Sequence, residues 1–208
     1  MRVSDLSRSS GVPVATIKYY LREGLLPRGE TTSPNQARYD DTHLRRLRLI
    51  RALVEVGGLP IANVREVLSA VDDPAVSLHA MLGRTVYAIT GDVGASGSLD
   101  EAEADLEQAM THVDWQVEHG APALAGARSV LARMRELGLA PGDTTLRAWA
   151  EAADRAAEGD MAAIGRTTGR EEAAETALIG TVLGDALLAA LRRIAQESRS
   201  AQLYRDGS

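Results

Sequence analysis

Lys18 is the only lysine of this 208-residue chain, and two of its five tyrosines, Tyr19 and Tyr20, follow it directly in the stretch TIKYYLREGLLP. An ammonium beside a phenol hydroxyl supplies donors that suit phosphate oxygens or the O6 and N7 acceptors of guanine. Helical spacing decides which groups act together. Ile17 and Leu21 are four residues apart and can face one core, so Lys18, one place beyond Ile17, leaves on another face. A tyrosine hydroxyl beside it can donate to phosphate while the ring packs on the scaffold. Tyr20, next to Leu21, reads as packing. Arg22 stands four residues after Lys18, a like-charge pair that makes more sense beside a polyanion than alone. Downstream, Arg28, Arg38 and Tyr39 flank a polar stretch and carry donors of the same kind.

Other chemistries find little support. The chain has no cysteine, which excludes disulfides, thiolate metal sites and a cysteine nucleophile. His112 and His119 are seven residues apart, about 10.5 Å along a helix axis, too far to share one metal without distant ligands. Gly91, Gly94 and Gly97 lack the Lys-Ser/Thr of a phosphate loop, and no G-x-S-x-G nucleophile motif occurs. No cofactor, metal site or enzymatic activity is expected. Trp115 and Trp149 are the candidates for lining an effector pocket. Trp149 also falls on a helical apolar stripe with Leu146 and Ala153, where core packing is the plainer explanation.

These residues need elements to hold them. Ser4 is placed to cap a first helix over about 5–10, with Gly11 at its end. A second helix is expected over about 14–23, opened by Pro13 and stopped by Gly24. Two short helices joined by a tight glycine turn form a helix-turn-helix. PRGETTSPNQARY, 27–39, has no helical period and reads as a hairpin wing. Asp41 is placed to cap a third helix, 42–56, with Leu44, Leu47, Ile50, Leu53 and Val54 in a stripe. VGGLP ends it, and Pro60 opens a fourth helix to about Val71. Arg45, Arg46, Arg48 and Arg51 on the third helix read as a solvated face, with contact to a nucleic-acid backbone as the alternative.

The remainder reads as all-α, with helices over about 75–90, 99–119, 122–137, 144–164 and 171–199 and a Gly-rich linker over 91–98. Apolar stripes in 99–119 and 122–137 favour helix-on-helix packing, within one chain or between two. ALIGTVLGDALLAAL, 177–191, is too short for a bilayer and carries Asp185, so a buried soluble helix is expected. Gly180 and Gly184 within it suit close helix approach, in a core or at a dimer contact. The expected fold class is mainly α. Its N-terminal winged helix-turn-helix with a small β-hairpin wing covers 1–73, a connecting helix and linker cover 74–98, and an all-α dimerisation or effector-binding domain covers 99–208.

Net charge is −6 overall but +4 over residues 1–56 and −8 over 74–208. A basic head on an acidic body suits an N-terminal part that meets a polyanion. The N-terminus has no signal-peptide pattern, and a cytoplasmic protein without a membrane partner is expected.

The order of helix, GV turn, ATIKYYLREGLLP, polar wing, Tyr39, HLRRLRLIRAL and GGLPIANVREVL resembles the MerR family of transcriptional regulators over residues 1–71. The resemblance implies that the second helix enters the DNA major groove and the wing touches the flanking backbone. It places Lys18 and Tyr19 at the DNA-proximal positions, Thr16 near the groove, Arg28 at the start of the wing and Tyr39 at its end. The NQARY stretch departs from the family's usual wing end, with one residue fewer and one tyrosine missing, which bears on Arg38. The resemblance further implies a homodimer on a palindromic operator in double-stranded DNA. Such a dimer distorts an overlong promoter spacer for RNA polymerase and is modulated by a small-molecule effector at the C-terminal domain. The alternative is a ligand-independent architectural or protein-interaction DNA-binding protein.

Overall fold

A computed structural model describes residues 1–33, 36–77, 79–81, 83 and 99–204, excepting the side chains of Thr32, Ser33 and Glu171. The expected 91–98 linker, and most of the expected 75–90 helix with Tyr87, lie outside the described residues. The chain divides into two units, Met1–Asp72 with Leu178–Ser208, and Asp73–Ala177. The second cut falls inside the last helix. Residues from 178 onward, expected to belong to a 99–208 domain, group instead with the N-terminal unit.

The first unit opens with α1 (Val3–Ser10) and α2 (Val14–Arg22). A hairpin follows, formed by β1 (Glu30–Ser33) and β2 (Gln36–Arg38), paired antiparallel with Glu30 opposite Arg38 and an irregular register between Thr31 and Ser33. Helix α3 (Asp41–Arg51) runs on into a π-helical segment, Ala52–Val56, and α4 spans Ile61–Asp72. The mainly α class with a small wing is thus what the chain adopts. Two caps differ from expectation. Ser4 lies inside α1, because the Asp5 carboxylate reaches back to accept the Arg2 amide at 3.0 Å. Asp40, not Asp41, caps α3: its carboxylate accepts the amides of Thr42 and His43 at 3.0 and 3.3 Å.

The apolar stripes converge on one core. Leu6, Ile17, Leu47, Ile50, Leu53, Val64 and Val67 have no exposed surface. Burying each stabilises the unit by about 1.5–3 kcal/mol. Leu25 and Leu26 join them after Gly24, whose φ of 73° turns the chain off α2. The turn between α4 and the π-helical segment is also specified by size. A Cβ on Gly57 would lie 2.5 Å from the Val182 side chain, which packs there from the last helix.

The arginines of α3 are not a uniform solvated face. Arg46 turns inward and donates to the Leu25 carbonyl at 3.0 Å and to both Asp72 oxygens. Arg51 donates to the Ser10 carbonyl at 3.1 Å and to Glu55 at 2.7 Å. Only Arg45 and Arg48 are exposed. The carbonyls of the α1–α2 turn and of the α2–wing connection need donors, and these long side chains supply them.

In the second unit, α5 (Leu99–His112), α6 (Pro122–Glu136) and α7 (Asp143–Ile164) precede the first turns of α8 (Arg170–Tyr204). Helix α5 is shorter than expected. Asp114 adopts a left-handed φ of 56°, a conformation that aspartate tolerates better than most residues, and Val113, Gln116 and Val117 drop out of the stripe. What remains of the stripe is used inside the chain: Ala102 packs with Leu131 and Ala132, flanked by Leu99, Leu106 and Leu146. Ion pairs border this small core, Arg128 with Glu103 at 3.0 Å and Arg135 with Glu101 at 2.9 Å and with Asp105. At the start of α8, Arg170 donates to the backbone carbonyls of Asp73 and Val76.

Helix α8 departs most from expectation. Ala173, Ala174, Ala177, Leu178 and Val182 are buried, but Leu187, Leu188, Leu191, Ile194, Leu203 and Tyr204 are exposed. Only its first turns are the buried helix that the apolar run suggested.

Candidate nucleic-acid interface

The loop between α1 and α2 is closed from both sides. Gly11 takes φ 71° and donates to the Ser7 carbonyl at 2.9 Å. The Ser7 hydroxyl donates to the Val12 carbonyl at 2.6 Å, and the Val12 amide donates to Ser10 Oγ at 3.2 Å. Pro13 then presets the first turn of α2. With its turn satisfied internally, the helix can present one whole face outward.

Ile17 and Tyr20 bury the inner face of α2, and Leu21 is only half-buried. The inner pair is therefore three residues apart, where Ile17 and Leu21 were expected to dominate. The opposite face carries Ala15, Lys18, Tyr19 and Arg22 at i, i+3, i+4 and i+7, one stripe of the helix. Ala15, Lys18 and Arg22 are exposed, and Tyr19 and Thr16 are half-buried. The Arg22 guanidinium sits 5.5 Å from the Tyr19 ring centroid, a cation–π contact that braces the ring and points charge along the face. Tyr19 and Tyr20 are split as the spacing predicts, their ring centroids 5.9 Å apart and tilted by 50°. Burial raises the Tyr20 hydroxyl above the ordinary tyrosine range, and the Glu55 carboxylate adds to the shift. Tyr20 therefore stays neutral, as suits a packing residue.

The wing is fixed at its base. Tyr39 is nearly buried and meets the His43 ring edge-on at 5.2 Å. Its ring lies so close to Gly29 that a Cβ there would approach it to 2.9 Å, and the Arg38 carbonyl to 2.5 Å. The Met1 ammonium donates to the Tyr39 carbonyl at 2.6 Å, and the Tyr39 amide donates to the Met1 carbonyl at 2.8 Å. Arg28 and Arg38 are exposed at the two ends of the hairpin. Hydrogen bonds from the Thr42 hydroxyl and from the His43 ring and amide hold the Asp40 carboxyl below the ordinary aspartate range.

Sequence reasoning missed several of the positioning residues. Ala15 completes the exposed side of the α2 stripe without any signal of its own in the sequence. Gly29 and the terminal Met1 pairing depend on contacts across the hairpin that no local pattern announces. In the second unit, Trp115 donates from Nε1 to Asp154 at 2.7 Å, and Trp149 is partly exposed. An open groove of about 510 Å³ is lined by Ala104, Glu107, Gln108, Thr111, His112 and Arg147. Neither tryptophan lines it.

Comparison with known proteins follows the same outline. The family profile of the MerR HTH family regulatory protein matches residues 1–71. The chain is 39% identical over 110 residues to the HTH-type transcriptional regulator MerD of Acinetobacter calcoaceticus, covering 52% of this chain and 91% of that one. It is 40% identical over 50 residues to the HTH-type transcriptional regulator ZntR homolog of Haemophilus influenzae, covering 24% of this chain and only 37% of that protein's length. The crystal structure of SCO5550 from Streptomyces coelicolor A3(2), assigned there as a candidate transcriptional regulator, superposes with a TM-score of 0.77. That match has 34% identity and covers 98% of both chains.

Proposed function

Because the chain belongs to the MerR family of DNA-binding transcriptional regulators, we propose that two copies bind a palindromic promoter operator and distort the spacer between promoter elements. The observation that carries this reading is the outward stripe of exposed Lys18 and Arg22 with half-buried Tyr19, on a helix whose other face is locked by Ile17 and Tyr20. Each copy lays α2 in the major groove of one half-site, and the wing arginines Arg28 and Arg38 hold the flanking phosphates. Thr16 flanks the base-reading stripe. The nearly buried Tyr39 sets the wing's angle and offers at most its hydroxyl to the backbone. Phosphate contacts on both sides of the spacer supply the energy that bends or untwists it, so that RNA polymerase meets realigned elements.

The helical body is the place for a small-molecule effector, which acts by favouring one of two dimer geometries. A mercuric effector is disfavoured, because the chain offers no thiolate. Both tryptophans, Trp115 and Trp149, lie in that unit, so intrinsic fluorescence reports on effector binding. The protein works in the cytoplasm, with DNA and a second copy of itself as partners.

Gel shift on the promoter of the neighbouring genes tests the reading. Lys18→Ala weakens binding by about 1–3 kcal/mol and relaxes preference at one base if the lysine reads guanine. If it holds a phosphate, affinity falls evenly across sequences and the salt slope shrinks by about one. Unchanged binding removes Lys18 from the interface. Operator affinity and transcription that respond to no small molecule favour an architectural protein instead.

A further inference from the structure

Two arginines close the end of α2. A helix ends in carbonyls that have no partner within it. Arg65 of α4 donates from Nε to the Glu23 carbonyl at 3.2 Å and from a terminal nitrogen to the Glu23 carboxylate at 2.7 Å. Arg46 of α3 donates from Nε to the Leu25 carbonyl at 3.0 Å, and its two terminal nitrogens meet the Asp72 carboxylate at 2.8 and 2.5 Å. Both cations also complement the negative end of the helix dipole. Asp72 ends α4, and it is where the first unit gives way to the second.

The turn that follows is pinned from the second unit. The Asp73 carboxylate accepts the Ala75 amide at 2.9 Å, and the Asp73 carbonyl accepts the Val76 amide at 3.3 Å. A terminal nitrogen of Arg170, at the start of α8, donates to that same carbonyl at 2.7 Å and to the Val76 carbonyl. Holding these carbonyls fixes the direction in which the backbone leaves Asp72. The aim of the carboxylate that Arg46 grips is fixed with it.

We propose that Arg170 is a positioning residue for DNA reading, acting on the pose of α2 through the turn at 73–76, Asp72 and Arg46. The proposal deepens the regulatory reading above and rests on it, because it gives the route by which a change in the second unit reaches Lys18 and Arg22. Coupling between distant sites needs an element with two arrangements that both sites bias. Here the two arrangements differ in whether Arg170 holds the turn. Held, the Asp72 carboxylate faces both terminal nitrogens of Arg46, and Arg46 Nε stays on Leu25. Released, the turn swings, the bidentate pair loosens, and the loop after Gly24 loses its donor. Arg22 and Lys18 lie three and seven residues before Leu25, so a small tilt at that loop moves their charged ends across the groove. Arg170 is exposed, and releasing its guanidinium into water costs little, as a switch requires.

Gel shift of the full chain on the promoter duplex of the neighbouring genes tests the proposal, together with hydrogen exchange of single amides. Arg170→Ala weakens DNA binding about two- to thirtyfold with helical circular dichroism retained. Arg170→Lys, which keeps a donor, recovers part of the loss. Arg166→Ala, at an exposed neighbour of the same charge, binds as the native chain does. Asp72→Asn removes the ion pair and keeps the side chain's size; adding Arg170→Ala to it changes binding by less than about twofold. The Leu25 and Leu26 amides donate to the Tyr20 carbonyl at 2.9 and 3.3 Å. They exchange faster in Arg170→Ala, whereas the Val64 amide, bonded to the Pro60 carbonyl at 3.0 Å, keeps its rate. A general loss of stability would speed all three. Native affinity in Arg170→Ala, losses that multiply when Asp72→Asn and Arg170→Ala are combined, or exchange that rises evenly overturns the proposal. Failure of the regulatory reading looks different. A native chain that binds no promoter DNA, yet shows the selective exchange, keeps the positioning role and removes the regulatory reading. A chain that binds DNA and is indifferent to Arg170→Ala does the reverse.

Discussion

Among the described residues, twelve bulky side chains are almost fully enclosed; eleven belong to the unit that carries α2 and the wing, and only Met81 belongs to residues 73–177. The second unit is built from alanine contacts bordered by ion pairs, such as Ala102 on Leu131 and Ala132 with Arg128 and Arg135 alongside. Even these pairs are incomplete, since the Nε atoms of Arg128 and Arg135 are buried without an acceptor. The contrast fits the two tasks proposed above, base reading and effector relay. A base-reading helix must be held to within fractions of an ångström, and close packing of large aliphatic groups does that. A unit that relays an effector needs alternatives of similar energy, and small residues with partly exposed ion pairs provide them.

Substitutions can break or sharpen this contrast. Leu47→Ala removes a fully enclosed side chain from the first unit and is expected to cost about 2–5 kcal/mol in urea unfolding. DNA affinity should fall with it if rigidity of that unit matters. A cost no larger than that of Leu131→Ala, in the small core of the second unit, would erase the distinction. Next in size is the paired removal of arginines. Arg46 has a side chain only 12% exposed and a bidentate partner, so Arg46→Ala should cost about 2 kcal/mol and leave the Leu25 carbonyl without its donor. Arg135→Ala, despite two ion pairs, should cost about 1 kcal/mol or less, and less again in high salt. Equal costs would show the two arginines to be equivalent staples.

The smallest effect lies at the wing base. The Asp40 carboxyl titrates lower when folded than when unfolded. Its contribution is therefore present above the ordinary aspartate value of about 4 and is lost as pH falls below it. Asp40→Asn keeps a capping side chain without that titration. Between about pH 4 and pH 2 the native chain should lose stability more steeply than this variant. Parallel curves would assign the acid sensitivity to other carboxylates.

Much of the first unit was legible because its signals are local. Gly11, Pro13 and Gly24 act on neighbouring backbone, and the 3.6-residue stripe of α3 names its own buried face. The split between Tyr19 and Tyr20 follows from the same period. Where reading failed, the cause was either a group remote in sequence or a local turn that apolar spacing hides. The α3 arginines looked like a solvated run because Asp72 and the carbonyls of Ser10 and Leu25 are remote in sequence. Helix α5 looked longer because apolar spacing continues past the point where Asp114 turns the backbone.

The sequence by itself determined the helix-turn-helix, the wing, the outward stripe of Lys18, Tyr19 and Arg22, and the absence of thiolate chemistry. Each follows from side-chain type and spacing over a turn or two. Only the tertiary structure decided that α8 leaves its neighbour after Val182 and carries Leu187, Leu191 and Ile194 into water. An apolar period in the sequence reads the same whether the surface that covers it lies within the chain or outside it. Which side chains remain uncovered depends on where every other helix has gone.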